Sequence, residues 1–215
     1  MPLQRIMRLK PVVACEQSHC LALLRGVVRA EMLELQRRGC FEGELLFLDS
    51  MLHMDPPHLE ATLTAALEQK KGDPGCLVLV YCDCSAGMLD LVKRFHVGRI
   101  AAINCAQLLL GRERYRQLMH EEAFLALPEW ARRWEHIIKN ELGLNRTTAR
   151  DLMGENRGVL VCLDTGLMPL PEQQLQDFSA YTGLPFRVET VSLDTMLASL
   201  LAAQAEAAAD QGITA

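Results

Sequence analysis

Short, dense apolar runs separated by helix-length stretches constrain this chain more than any other feature. Val12–Cys15, Glu44–Asp49, Leu77–Cys82, Arg99–Asn104, Val159–Leu163 and Phe186–Val191 each read as a strand. Leu77–Cys82 is apolar throughout rather than alternating, the pattern of a strand covered on both faces. Between these runs lie helical stretches. Ser18–Arg38 ends at Gly39, a residue suited to a left-handed C-cap, and His58–Lys71 is broken off by Gly72-Asp73-Pro74-Gly75. Glu172–Thr182 and Leu193–Ala209 complete the series. Such alternation predicts an α/β fold: a mostly parallel sheet flanked by helices, three-layered and Rossmann-like.

The middle of the chain differs in character. Leu108–Met119 and Glu129–Glu141 read as helices rich in Arg and Glu, and Thr147–Leu152 as a further short one. Residues 108–152 are therefore expected to form a helical insertion or cap within a single α/β domain spanning 1–200. Residues 201–215, the Ala-rich helix end and the tail, have few anchoring side chains and are expected to fray. A chain of 215 residues that is 50% hydrophobic has material for a substantial core, and with aromatics at 5% that core must be mainly aliphatic.

Charge and hydropathy exclude several classes of function. The 22 basic and 27 acidic residues leave a net charge of −5, which gives no global attraction to nucleic acid or anionic lipid. No apolar run is long enough to cross a bilayer, and the opening MPLQRIMRLKPVV lacks the pattern of a secretory signal. The expectation is a cytoplasmic protein, with neither nucleic acid nor membrane as partner, whose eight cysteines stay reduced. HExxH, GxGxxG, P-loop and GxSxG patterns are all absent from the sequence.

Three cysteines stand out by position. Cys15, Cys84 and Cys105 each follow a strand-like run, which predicts that all three lie at the carboxyl edge of the sheet, where open α/β folds place their ligands. Any one of them alone would read as a small buried hydrophobe. Three soft thiols on comparable loops point instead to a transition-metal site. Zinc favours thiolate and imidazole at tetrahedral geometry, and His53, after the second strand, is the available imidazole. On its own, that histidine would read as structural or exposed. An iron–sulfur cluster or a metal-delivery role is the alternative for the same cysteines.

The remaining candidates have blander readings. Cys76, Cys82 and Cys162 are expected in the core and Cys40 in a loop. Asp83 is either an acceptor orienting a metal ligand or a turn former, and Asp164 either lines the crevice or starts a loop. The charged run Arg112–Arg116 is expected to be a solvated, internally paired helix face, with binding of an anionic group as the sharper reading; a non-enzymatic partner or regulatory module docking through the Arg-rich Leu108–Arg133 surface is a further alternative for the whole chain. Trp130 and Trp134, four residues apart, are expected to pack in a core beneath the cap.

Taken in order, these landmarks resemble an uncharacterised family, the domain-of-unknown-function family numbered 1638. The resemblance runs through Val13-Ala14-Cys15, Leu52-His53-Met54-Asp55-Pro56, Tyr81-Cys82-Asp83-Cys84-Ser85-Ala86-Gly87, Asn104-Cys105, Leu110-Gly111, Glu141-Leu142-Gly143-Leu144 and the strand near Val159–Thr165. It spans roughly residues 11–200. It implies that Cys15, His53, Cys84 and Cys105 act as one unit. It also implies a neighbourhood in one-carbon metabolism, with a protein partner in a methyl-transfer system, and it brings no settled activity. Asn104 departs from the pattern, standing where a histidine is expected. The corrinoid-binding Asp-x-His-x-x-Gly signature is absent from the sequence, so cobalamin binding is not implied.

Overall fold

Leu77–Val80 (β3) has the composition of a central strand and occupies that place. In the computed structural model, which describes residues 20–71 and 75–210, it lies between Cys20–Arg25 (β1) and the short Gly98–Arg99 (β4), with Gly43–Leu48 (β2) outside β1. All pairings in this first sheet are parallel, and its order is β2-β1-β3-β4. A second parallel sheet, ordered β5-β6-β7, comprises Ala123–Ala126 (β5), Val159–Asp164 (β6) and Phe186–Thr190 (β7). The chain is thus three-layered, Rossmann-like α/β, with its strands divided between two sheets where the sequence reading had one.

Helices cover both faces of the first sheet. Arg29–Arg37 (α1), between β1 and β2, contributes Met32 and Leu35 to one face. Pro56–Gln69 (α2) and Met88–Phe95 (α3) cover the other face through Leu59, Leu63, Leu67, Met88 and Leu91. Strand periodicity divides the side chains accordingly: Val78 and Val80 face the first layer, Leu79 and Tyr81 the second. Asp55 starts α2 by accepting from the His58 N–H at 3.2 Å, and Pro56 follows in the first turn, where a missing N–H costs nothing.

Cys105–His120 (α4) ties the two sheets together. Its first half sends Leu108 and Leu109 into the first sheet's core and Ala106 and Leu110 towards the second, where Leu118 of its second half also packs. The change of direction occurs at Gly111, whose φ of 77° and ψ of 167° interrupt the helix. This is a conformation open essentially to glycine alone. Bidentate bonds from Arg114 to Glu189 on β7, at 2.7 and 2.8 Å, pin the second half. Arg114 is thus a structural tie inside the run expected to be a solvated face. Its hydrogen bonds also hold the Glu189 carboxyl below its ordinary value. Pro128–Arg132 (α5), Arg146–Asn156 (α6) and Glu172–Thr182 (α7) cover the opposite face of the second sheet around Phe178, Trp134 and Leu175. Asp194–Asp210 (α8) then returns to β3 and β4.

Several sequence expectations require correction. The expected helix Ser18–Arg38 is, over its described residues, strand β1, a turn of 3-10 helix at Gly26–Val28, and α1. Ala22 and Leu23 are buried on opposite faces of the sheet, and an apolar run covered on both sides has no period to separate strand from helix. The expected strand Val12–Cys15 lies outside the described residues. The expected strand Arg99–Asn104 shrinks to Gly98–Arg99, and Asn104 instead caps α4. Glu129–Glu141 divides into α5 and a π-helical turn at His136–Glu141, and the 108–152 stretch, though mainly helical, carries β5. Up to Asp210 the last helix is regular and anchored by small residues: Ala203 and Ala207 are buried against β4.

Candidate functional site

The strand order creates a crevice. From β1 the chain moves outward to β2 and then crosses back to β3 on β1's other side. The loops leaving β1 and β3 therefore diverge, and at such a switch point open α/β sheets bind their ligands. One lip is the Gly26–Val28 turn and the other the Tyr81–Gly87 loop.

The second lip carries the cysteines of interest. Cys82 is buried in the α1-side core, while Cys84, half-buried at the sheet's end, packs against the clusters on both faces. The Cys84 N–H donates to the Cys82 carbonyl at 2.8 Å, closing a tight turn. Next to it, the Ser85 hydroxyl oxygen is buried and has no hydrogen-bond partner among the described residues. Such orphans are uncommon and mark places where a ligand or water completes the bonding. Just before α3, the Glu60 carboxylate accepts from the Gly87 N–H at 3.0 Å, and a Cβ at Gly87 would strike it. Asp83 is exposed and paired with Arg99 at 2.7 Å, so it braces β4 rather than orienting a cysteine.

Cys105 opens α4 rather than ending a strand. Asn104 is the N-cap: its Oδ1 accepts from the Gln107 N–H at 2.9 Å, and its Nδ2 donates to the Tyr115 hydroxyl at 2.8 Å. Asparagine is among the best capping residues, which gives Asn104 a physical role of its own where the resemblance led to an expectation of histidine. Cys105 is 8% exposed and belongs to the same core cluster as Cys82, against which Cys84 also packs. Two of the expected ligands, Cys84 and Cys105, thus converge on one cluster at the carboxyl side of the first sheet. Cys15 lies outside the described residues. His53 lies in the 3-10 turn Ser50–Met54 after β2, with its side chain outside the described residues. Among the described residues, no three His, Cys, Asp or Glu side chains gather into a metal-holding group. Cys76 and Cys162 are core residues as expected, and burial, reinforced by Asp164, pushes the Cys162 thiol up to about 11 against the pull of Arg132.

The two sheets meet beside this edge through groups that sequence reading missed. Glu31, in the first turn of α1, is only 4% exposed. Thr165, just past β6, donates its hydroxyl to Glu31 Oε1 at 2.8 Å, and Oε2 has no partner among the described residues. Asp164 turns the chain there by accepting from the Gly166 N–H at 2.8 Å. A parallel tie joins the turn after β2 to α5: the Ser50 hydroxyl donates to Glu129 at 3.1 Å, and Arg133 reaches both. Nothing in the local sequence marks Glu31, one of two glutamates on a charged helix, as the buried one. Its burial depends on a partner 134 positions away.

Burial raises the Glu31 pKa above its ordinary 4.5, outweighing the opposing bonds from Thr165 and from its own backbone. Folded Glu31 therefore holds its proton more tightly than the unfolded chain does. Its contribution to stability is complete below 4.5 and is lost as pH rises through the raised value. Glu31→Gln keeps an acceptor for Thr165 and removes the buried charge. It is expected to melt above wild type at neutral pH, each kcal/mol appearing as about 2–4 °C. The two melting curves should converge as the pH approaches 4.5. A constant difference across that range would contradict the buried carboxyl.

A groove opens between the start of α4 and β5. Its volume is about 320 Å³, and its walls include Cys105, Tyr115, Met119, Phe124, Trp130 and Arg157. Val27, from the first lip of the crevice, also borders it, so it reaches the carboxyl side of β1. No helix among the described residues is long and apolar enough to cross a membrane.

No curated protein matches the chain. Residues 47–200 match the family described as "Protein of unknown function (DUF1638)", a span holding His53, Cys84, Asn104, Cys105 and the whole second sheet. With most of its length inside that match, the chain belongs to the DUF1638 family.

Proposed function

We propose that this chain binds a transition-metal ion, zinc by the chemistry of its donors, at the carboxyl edge of the first sheet. Cys84 and Cys105 supply two thiolates, and Cys15 and His53 complete the set. One observation carries the reading: two thiols, one from the loop after β3 and one from the first residue of α4, pack in or against a single cluster at the switch-point edge, with an orphaned buried hydroxyl at Ser85 beside one of them. Soft sulfur with one imidazole is a donor set that zinc prefers. When bound, the ion would supply Lewis-acid activation suited to methyl- or acyl-group chemistry, in keeping with a partner in a methyl-transfer system. The chain's own part is to hold the thiols at the end of β3 and the start of α4, with the Asn104 cap fixing the second.

Elemental analysis of protein purified without added metal tests this. Wild type is expected to carry stoichiometric zinc, and Cys84→Ser and Cys105→Ser to lose most of it while remaining folded. Stoichiometric metal in both variants, or none in wild type, would sink the site. A second reading has its own support, because Cys82 lies in the same cluster at 1% exposure and, with Cys15, brings the thiols to the four of an iron–sulfur cluster. Anaerobic purification separates the two: brown protein with acid-labile sulfide favours the cluster, colourless zinc protein the first reading.

A further inference from the structure

The groove between α4 and β5 holds an imbalance of charge and hydrogen bonding. Most of its wall is apolar, with Met119, Phe124, Leu127 and Trp130 among its residues. Two donor groups in that wall have donor capacity to spare. Arg157 lines the groove half-buried, and among the described residues its guanidinium makes one hydrogen bond, from Nη1 to the Asn156 carbonyl at 2.7 Å. No ion pair joins it to a carboxylate among the described residues, whereas Arg114 and Arg187 nearby are both paired with glutamates. Glu122, whose carboxylate lies beside Gly158, does not reach ion-pair distance of it. Tyr115 accepts from Asn104 at 2.8 Å, which leaves its own hydroxyl proton without an acceptor among the described residues.

We propose that this groove binds a small monocarboxylate with an apolar, preferably aromatic, body. Arg157 pairs with the carboxylate, Tyr115 supplies a further donor, and Phe124 and Trp130 pack against the body. A single guanidinium matches a single negative charge. A phosphate would call for more, and the α4 N-terminus is already occupied by its Asn104 cap. A volume of about 320 Å³ suits a small ligand. Cys105 lines the same groove, so the ligand would lie beside that thiol, but the inference does not rest on the metal proposed above.

The test is a titration of as-purified and metal-stripped protein with 3-phenylpropionate and its neutral amide, followed by tryptophan fluorescence. The chain has 2 tryptophans, and a Trp134→Phe variant isolates the signal of Trp130. The acid is expected to bind saturably in both preparations and the amide about tenfold more weakly or worse, the loss that a charge-assisted pair carries. Arg157→Gln should weaken the acid to the level of the amide, Arg157→Lys should restore part of the difference, and Tyr115→Phe should weaken the acid to a lesser degree. Equal binding of acid and amide to wild type, no effect of Arg157→Gln, or no saturable binding would each overturn the proposal. The acid–amide comparison decides it even if a variant fails to fold. Binding that survives metal stripping separates this inference from the metal reading.

Discussion

Phe178→Ala is expected to destabilise the chain by about 3–5 kcal/mol, the range for deleting a buried phenyl ring. The ring is 0% exposed on α7 and is the hub of the second sheet's core. Phe124, Trp130 and Trp134 surround it with centroids at 5.6, 5.5 and 5.2 Å, in tilted and edge-on arrangements that favour aromatic pairs. Phe124 comes from β5 and Trp130 from α5, so one side chain joins the edge strand and two helices. Both tryptophans lie in this cluster, so urea denaturation followed by tryptophan fluorescence reports on it directly. The midpoint should fall with little change in slope, and Phe178→Leu should recover much of the loss. A loss below about 1 kcal/mol would mean that the cluster repacks freely, against the packing described.

Gly98→Ala acts on the first sheet by the opposite route, overfilling rather than emptying. A Cβ at Gly98 would overlap the carbonyl oxygen of Ala203, a backbone atom of α8 that cannot rotate away. The helix must therefore lift from β4, its principal contact, and loosen the burial of Ala203 and Ala207. The expected cost is at or above the upper end of the usual overpacking range of about 1–3 kcal/mol. At about 2–4 °C per kcal/mol, the melting temperature should fall by roughly 6–12 °C or more. Alanine at Gly154, inside α6 where an added Cβ meets nothing, is the control and should leave the melting temperature at or a few degrees above that of wild type. Unchanged melting of Gly98→Ala would contradict the close approach of α8 to β4.

Elements whose evidence is local were legible in the sequence. The strands near 44–49, 77–82, 159–163 and 186–191 and helix Glu172–Thr182 have clear apolar runs bounded by turn residues, and they appear within a few residues of expectation. Cys20–Arg25 was not legible, because only the single Gly26 separates CLALLR from VVRAEMLELQRR and central strands carry no alternation. β5, with AFLA, is four residues long without a β-branched side chain, and the short α3 directly follows a turn. The division into two sheets is a matter of non-local pairing, which no local pattern encodes.

The candidate site divides in the same way. Cys84 could be singled out because the end of the β3 apolar run locates the sheet's carboxyl edge, whereas Cys105, expected after a strand, opens α4 instead. Asn104 as a cap became evident only once α4 was seen to begin at Cys105. Glu31, Thr165 and Ser85 were invisible because their burial arises from contacts between distant segments. Arg157 was likewise unremarkable: its isolation from carboxylates is a fact of the surroundings and not of the residue.

The metal reading is tested most directly by the absorption spectrum of protein loaded with cobalt(II) in place of zinc. Thiolate ligation is expected to give intense sulfur-to-cobalt charge-transfer bands together with the visible bands of a tetrahedral ion, both weakened in Cys84→Ser and in Cys105→Ser. A spectrum without charge-transfer bands, or one unchanged in both variants, would contradict the proposal that these two cysteines hold the metal.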